Sequence, residues 1–315
     1  MDVSVVVVTY NPKQKALLST LKSIICQKNI EFEIIIADDG SKDFDSNGIE
    51  LFFERNRFSK YHIVHNEVNQ GTMINALSGW SAANGKYIKQ LSPGDFLYDD
   101  HTLRRMYDFI EKTGATLAFG AEASYKYENN IIEFIDYNNP KDIRPYLENN
   151  EKAIRYNYVA KRQFGNGMAF IVDRDKLLRY AALLQNKVKY GEDFTYLLMV
   201  GCDEKISYMN CFVIWYEYGI GISTNKENKW FIRLDQDKKV CYEIISKNNN
   251  KWRNLKWKYY DYENENIIKR YIWKVYRFLK YNGFWNKNKE NQIVVSKGLP
   301  EPNIDYLKSF LSVED

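Results

Sequence analysis

The chain has 315 residues, of which 45% are hydrophobic and 27% charged, a length for about two domains and a composition that excludes wholesale disorder. No apolar run approaches the ~20 residues of a membrane span, and the first begins at Val3 with no basic leader, which predicts no signal peptide. Cys26, Cys202, Cys211 and Cys241 are scattered without a CxxC pair, which excludes a disulfide scaffold and a zinc finger and points to a reducing cytoplasm.

Charge is unevenly placed. Residues 225–315 hold 19 Lys and Arg against 12 Asp and Glu, a net of +7, while residues 1–224 carry a net of −3. The division predicts a first region over 1–224 and a basic, aromatic-rich helical region over 225–315. The 31 Asn and 25 Tyr fit AT-rich codons, so some of this Lys and Tyr content reflects base composition.

In chain order, Val3–Thr9 is a continuous apolar run suited to a strand buried on both faces. Asn11-Pro12 punctuates it, Asn11 serving as N-cap of a helix that runs to about Lys28 on Leu17, Leu18, Leu21, Ile24 and Ile25. Phe32–Ala37 is the second strand, followed by a helix near Ile49–Arg57, a strand at His62–His65, a helix from Thr72 to about Ala83 and a strand at Tyr87–Leu91. A helix at Thr102–Lys112 and a strand at Thr116–Phe119 complete the alternation. This order predicts an α/β fold with a mostly parallel central sheet, helices on both faces and ligands beyond the carboxyl ends of the strands.

After Gly120 the rhythm breaks. Residues 121–137 read as a strand pair across Asn129-Asn130, and 138–160 as polar and irregular. Met168–Val172 and Ile206–Tyr216 are strands, Lys176–Leu184 and Phe194–Val200 helices, and the chain turns helical beyond Asn225. Over 266–282, Ile268, Tyr271, Ile272, Val275, Phe278 and Leu279 mark one face and Lys269, Arg270, Lys274, Arg277 and Lys280 the other.

The loops at strand ends carry the candidate chemistry. Thr9-Tyr10-Asn11-Pro12 contains neither GxGxxG nor GxxxxGK[ST], against a dinucleotide-binding dehydrogenase or a P-loop ATPase. It offers a hydroxyl, a ring and an amide that suit a nucleobase, or an ordinary strand-to-helix turn. Asp38-Asp39-Gly40-Ser41 ends the second strand with two carboxylates, able to accept from a uracil N–H or ribose hydroxyls, or to make an Asx turn. Asn69-Gln70-Gly71 opens a helix whose amino terminus favours a polar or anionic ligand. Ser92-Pro93-Gly94-Asp95 ends the fourth strand, so that Asp39 and Asp95 share one crevice; two such carboxylates suit a Mg²⁺ or Mn²⁺ ion held jointly with a diphosphate.

Together, Val3–Pro12 (VSVVVVTYNP), Ile34–Ser41 (IIIADDGS), Asn69–Gly85, Tyr87–Asp95 (YIKQLSPGD) and Gly191-Glu192-Asp193 resemble the bacterial family 2 glycosyltransferases of GT-A fold, over about residues 1–224. The resemblance implies nucleobase and ribose contacts at Thr9, Tyr10, Asn11 and Asp39, with Asn69 and Gly71 nearby, and Asp38 joins them as a nucleotide-binding candidate. It implies Asp95 at the end of the metal-binding DxD-type element and Asp193 as catalytic base, Glu192 being the alternative base or an acceptor-orienting group. It further implies an inverting transfer of a sugar from a nucleotide-sugar donor, UDP-linked, to a glycan hydroxyl in surface polysaccharide or glycoprotein glycan assembly. The family usually shows two or three carboxylates where this chain has Ser92-Pro93-Gly94-Asp95, which puts the metal in doubt and leaves a non-catalytic nucleotide-sugar-binding protein as the competing reading. A sugar-nucleotide pyrophosphorylase is disfavoured, because Thr9–Pro12 lacks a glycine-rich loop with a basic residue.

Two glycine-bearing segments remain. Phe164-Gly165-Asn166-Gly167-Met168 suits the close approach of a donor or acceptor sugar at Asn166 and Gly167, or an ordinary turn. Gly219–Thr224 reads as a domain linker or a loop closing over a diphosphate. Between Lys251 and Lys289, 11 Lys and Arg face 3 Asp and Glu beside Trp252, Trp257, Trp273, Phe284 and Trp285. That pattern suits docking on the catalytic domain, a homodimer contact, or an anionic membrane surface at the inner face bringing a lipid-linked acceptor; nothing outside it supports nucleic acid.

Overall fold

The computed structural model describes residues 1–129, 131–138, 140, 142–160, 163, 165–219, 229–252, 266–269, 271–272, 275 and 299–311. Among the described residues the strands are β1 (Val3–Thr9), β2 (Phe32–Asp38), β3 (Tyr61–His65), β4 (Tyr87–Leu91), β5 (Phe96–Leu97), β6 (Leu117–Glu128), β7 (Ile131–Asn138), β8 (Phe170–Asp173) and β9 (Ile206–Glu217). The helices are α1 (Gln14–Ile25), α2 (Ser46–Arg55), α3 (Thr72–Ala82), α4 (Thr102–Thr113), α5 (Arg144–Leu147), α6 (Glu151–Arg155), α7 (Arg174–Ala181), α8 (Phe194–Gly201), α9 (Lys229–Asn248) and α10 (Ile304–Leu311).

One sheet runs β3-β2-β1-β4-β8-β6-β9-β5, with β7 paired to β6. β1 is parallel to β2 and β4, and β6 is parallel to β9, whereas β8 lies antiparallel between β4 and β6. β4 and β6 therefore point the same way although they are not neighbours, and β4, β6 and β9 end at one edge beside β1 and β2. The continuous apolar runs reflect burial on both faces: Val3, Val5 and Val7 pack with α1, α2 and α4, while Val6 packs with α3, α7 and α8.

Local differences from the sequence reading have physical causes. Asn11 does not cap α1; it takes a left-handed φ of 46°, its N–H donates to Ser41 Oγ at 2.6 Å, and the helix starts at Gln14. α2 starts earlier, where the Asp45 side chain accepts from Gly48 N at 2.8 Å and caps it. The strand expected to end at Phe119 and the first arm of the pair expected over 121–137 are one strand, because β9 pairs with it from Leu117 to Tyr125 and β7 from Glu122 to Glu128. The segment 138–160, expected to be irregular, sends Ile143, Tyr146, Ile154, Tyr156 and Tyr158 into the core.

α9 lies along α8, with Cys241, Tyr242, Ile244 and Ile245 joining the cluster that α3, α7 and α8 share. α10 returns to the opposite side, where Leu307 and Phe310 pack with Phe96, Phe212 and Trp215. Of the described residues, none lies in a helix long and apolar enough to cross a membrane. Residues 220–224 and most of 253–298, including Trp257, Trp273, Phe284 and Trp285, fall outside the described residues.

Candidate active site

The first two loops are wired to each other. Asp38 is fully buried and accepts from Ser41 N at 2.8 Å, Ser41 Oγ at 2.6 Å and His65 Nδ1 at 2.9 Å. These donors come from the loop itself and from the end of β3, so the fully buried Asp38 carboxylate shapes the loop that presents Asp39. Asp39 is turned differently: Oδ1 accepts from Gln70 N at 2.9 Å and Asn66 Nδ2 at 3.3 Å, and Oδ2 from Gly71 N at 2.8 Å. A carboxylate has about four acceptor positions, which leaves Asp39 capacity for one more donor.

The structure thus brings Asp39 to the amino terminus of α3 through Gly71. That glycine has φ 97°, and a Cβ there would stand 2.6 Å from the Lys189 carbonyl oxygen. No other residue fits both demands. Thr9 is buried with its Oγ1 unpartnered, and its carbonyl receives Asp39 N at 3.0 Å and Asn75 Nδ2 at 3.2 Å. Tyr10 is 52% exposed, its ring available at the rim, and Asn69 is exposed beside Gln70.

Ser92-Pro93-Gly94-Asp95 is a tight turn closed by Asp95 N on Ser92 O at 3.0 Å. Proline at its second position and glycine at φ 97° at its third are the residues a type II turn requires, and they stand where the family places carboxylates. Asp95 is buried, and Glu217 N lies 3.4 Å from its Oδ1. Burial pushes its carboxyl well above the usual range and the nearby Glu122 adds to this, against the opposing pull of the Glu217 N–H and Lys89. Among the described residues no three His, Cys, Asp or Glu side chains gather as a ligand set. The turn supplies one carboxylate, Asp95, where a hard divalent cation prefers several anionic oxygens.

Glu192 and Asp193 precede α8. Burial raises both carboxyls, Asp193 well above the ordinary range with the adjoining Glu192 charge adding to it. Gln90 Nε2 reaches Glu192 at 3.4 Å, but Asp193 Oδ1 is buried and unpartnered. Asp193 rests on Gly167, where an added Cβ would lie 2.0 Å from that Oδ1. Tyr158, Tyr196 and Tyr216, whose phenols burial raises, are close enough to feel the Asp193 charge as well. Tyr216 also senses Asp95 and Glu122, so one ring feels acids from three segments of the chain.

Asn166 ties this neighbourhood together. Its Oδ1 accepts from Met168 N at 2.9 Å and its Nδ2 donates to Glu122 Oε2 at 2.7 Å, fixing the turn under Asp193. Sequence reasoning missed Glu122 and Lys89. Both are lone charges inside apolar strands, a costly placement that is itself a signal. Lys89 Nζ donates to the Met168 carbonyl, and burial pulls its ammonium down to about 7 against the opposing Asp95.

Comparison with known proteins follows this geometry. Residues 4–184, more than half of the chain, match the family described as Glycosyl transferase family 2. The chain belongs to that family. A relative, Glycosyltransferase GlyG of Streptococcus pneumoniae, is 28% identical over 181 residues, 56% of this family 2 chain and 56% of that protein, so the match spans about half of each. The crystal structure of S. aureus TarS 1–349 in complex with UDP-GlcNAc superposes with a TM-score of 0.57 at 16% identity, over 98% of this chain and 82% of that one. A second structure of TarS 1–349 gives 0.53 at 18% identity, over 93% and 77%. These likenesses establish the GT-A type of fold for the family 2 chain.

Proposed function

We propose that the protein is an inverting glycosyltransferase that moves a sugar from a UDP-sugar donor to a hydroxyl of a glycan acceptor, in assembly of a surface polysaccharide or a glycoprotein glycan. The observation that carries this reading is the unpartnered, buried Asp193 Oδ1 against Gly167. Inverting transfer needs a base on the sugar face opposite the leaving nucleotide. A carboxylate with a raised proton affinity and a free lone pair suits that task better than a solvated one. The acceptor hydroxyl gives its proton to Asp193 as its oxygen bonds to the anomeric carbon, and the bond to the diphosphate breaks.

On the donor side, Thr9, Tyr10 and Asn11 with the remaining acceptor position of Asp39 form the nucleoside end, and the α3 amino terminus at Gly71 favours the anionic end. The UDP-GlcNAc complex of TarS is consistent with a uridine donor on this type of fold. No step is assigned to a divalent cation, given the solitary Asp95. Glu192 orients the acceptor or shares the proton with Asp193.

The test is Asp193→Asn. Transfer from a panel of UDP-sugars should fall about 10³-fold, the scale of a lost general base, while the Kd for UDP stays unchanged. Full transfer by the variant would remove the base assignment. The second reading, a nucleotide-sugar-binding protein without catalysis, is favoured by the Pro93-Gly94 turn in place of carboxylates. It requires UDP binding by the wild-type protein with no donor turnover in the presence or absence of Mn²⁺.

A further inference from the structure

Asp237 lies on α9, beyond the stretch that carries the family match, and is completely buried. Its Oδ2 accepts two consecutive backbone N–H groups, from Lys189 at 3.0 Å and Tyr190 at 2.7 Å. Its Oδ1 accepts from Arg233 Nε at 3.1 Å, one helical turn back. A buried carboxylate persists only where donors reach it, and here two of the three belong to the loop that runs into Gly191-Glu192-Asp193.

The same loop is gripped from its other side. The Lys189 carbonyl accepts Met73 N at 3.0 Å, from the first turn of α3, and packs against Gly71. Gly71 N in turn donates to Asp39. Residue 189 therefore sits between Asp237 and the α3 amino terminus, joined to each by hydrogen bonds from its own peptide groups. Cys241 Sγ, one turn further along α9, lies 3.3 Å from the Phe194 carbonyl just past Asp193. The pair Glu192-Asp193 is bracketed by α9 before and behind.

We infer that Asp237 is a positioning residue for the Glu192-Asp193 pair: by pinning residues 189–190 from α9 it fixes the distance between the base and the loop of Asp39. The inference rests on the base assignment proposed above. Asp237 acts only through the loop, and its side chain bonds to no other candidate site residue. Misplacing a base by an ångström is enough to cost most of its contribution, so the effect falls on turnover more than on donor binding.

Three variants of the full chain test this, read by steady-state kinetics and by hydrogen–deuterium exchange. Asp237→Ala removes both loop bonds; kcat should fall about 10²-fold with the donor KM little changed. Asp237→Asn keeps an acceptor for the two N–H groups and should recover most of that loss. Arg233→Gln breaks the ion pair but leaves both loop bonds to the buried carboxylate, and should stay within about twofold of wild type, since the guanidinium it removes is half-exposed. Exchange of the peptide covering 188–193 should quicken about tenfold in Asp237→Ala, with the α8 and α9 peptides unchanged. If that variant is insoluble, Asp237→Ser, too short to reach both N–H groups, makes the same comparison. Unchanged kcat in Asp237→Ala, an equal loss in Arg233→Gln, or loosening spread over α8 and α9 would overturn the inference. Failure of the base assignment looks different: Asp193→Asn would keep full rate while the 188–193 peptide still loosened in Asp237→Ala.

Discussion

The two acidic pairs of the candidate site are built in opposite ways. Asp38 and Asp39 between them receive six donors, three each, most of them from the loops that close around them. Glu192 and Asp193 receive little: Glu192 has the Thr72 hydroxyl nearby and a long contact from Gln90, and a buried Asp193 oxygen is left bare. Saturating a carboxylate with fixed N–H groups holds its charge and position, which is what recognition of a ligand asks. Starving a buried carboxylate of donors raises its affinity for a proton, which is what a base asks, at a cost in stability. In the proposed function the two jobs are separated along the sheet edge.

That contrast breaks most readily at Gly167. Gly167→Ala puts a methyl group where the Asp193 carboxylate lies, and either the turn or the base must move. A loss of about 10²-fold in kcat is expected, with UDP affinity retained. Steady-state kinetics beside calorimetry with UDP would check it; a fully active variant would mean that Asp193 has room to spare. The matching cut on the other side is Asp39→Asn. An amide can accept one of the Gln70 and Gly71 N–H groups but sets its own NH₂ against the other. Weakening of UDP binding by about tenfold is expected from one unmet buried donor, with the pH profile of turnover unaltered. Equal loss in both variants, in both readouts, would show that the two pairs are not separable.

How far the sequence foretold this depends on range. The first four parallel strands and their helices are legible because both signals, unbroken apolar runs and i, i+3, i+4 spacing, are local. β5 escaped because two residues carry no period; it exists because β9 supplies partners for Phe96 and Leu97 from more than 110 positions away in sequence. Asp39, Asp95 and Asp193 stood out by their place at strand and helix ends. Asp237 did not, and Glu122 is marked only as a lone charge in an apolar strand: the donors that justify them, the Lys189 N–H and Asn166 Nδ2, lie 48 and 44 residues distant. The sequence singles out Asp39 for the crevice it shares with Asp95, and the placement of Ser41, His65 and Gly71 supplies its physical difference from Asp38.

The smallest effect sharpens the comparison most, since it needs no substrate. A carboxyl whose proton affinity rises on folding stabilises the protein while it is protonated, and that stability is lost as pH climbs through its raised folded-state pKa. Asp193 is such a group, coupled to Glu192 and driven upward first by burial and then by the Glu192 charge. At neutral pH the wild-type protein therefore carries a penalty for ionising the pair, titrating as a unit. Asp193→Asn removes one of the two charges while keeping the shape, and should raise stability at pH 7–8 by about 1 kcal/mol, the usual scale for relieving an active-site conflict. The gain should shrink as pH falls toward the ordinary carboxylate range of ~4, where both forms are neutral at this position. Thermal denaturation across that range would read it. A variant less stable than wild type at every pH would mean that Asp193 is an N-terminal helix charge favoured by α8, as the helix dipole alone would have it, with no base held in reserve.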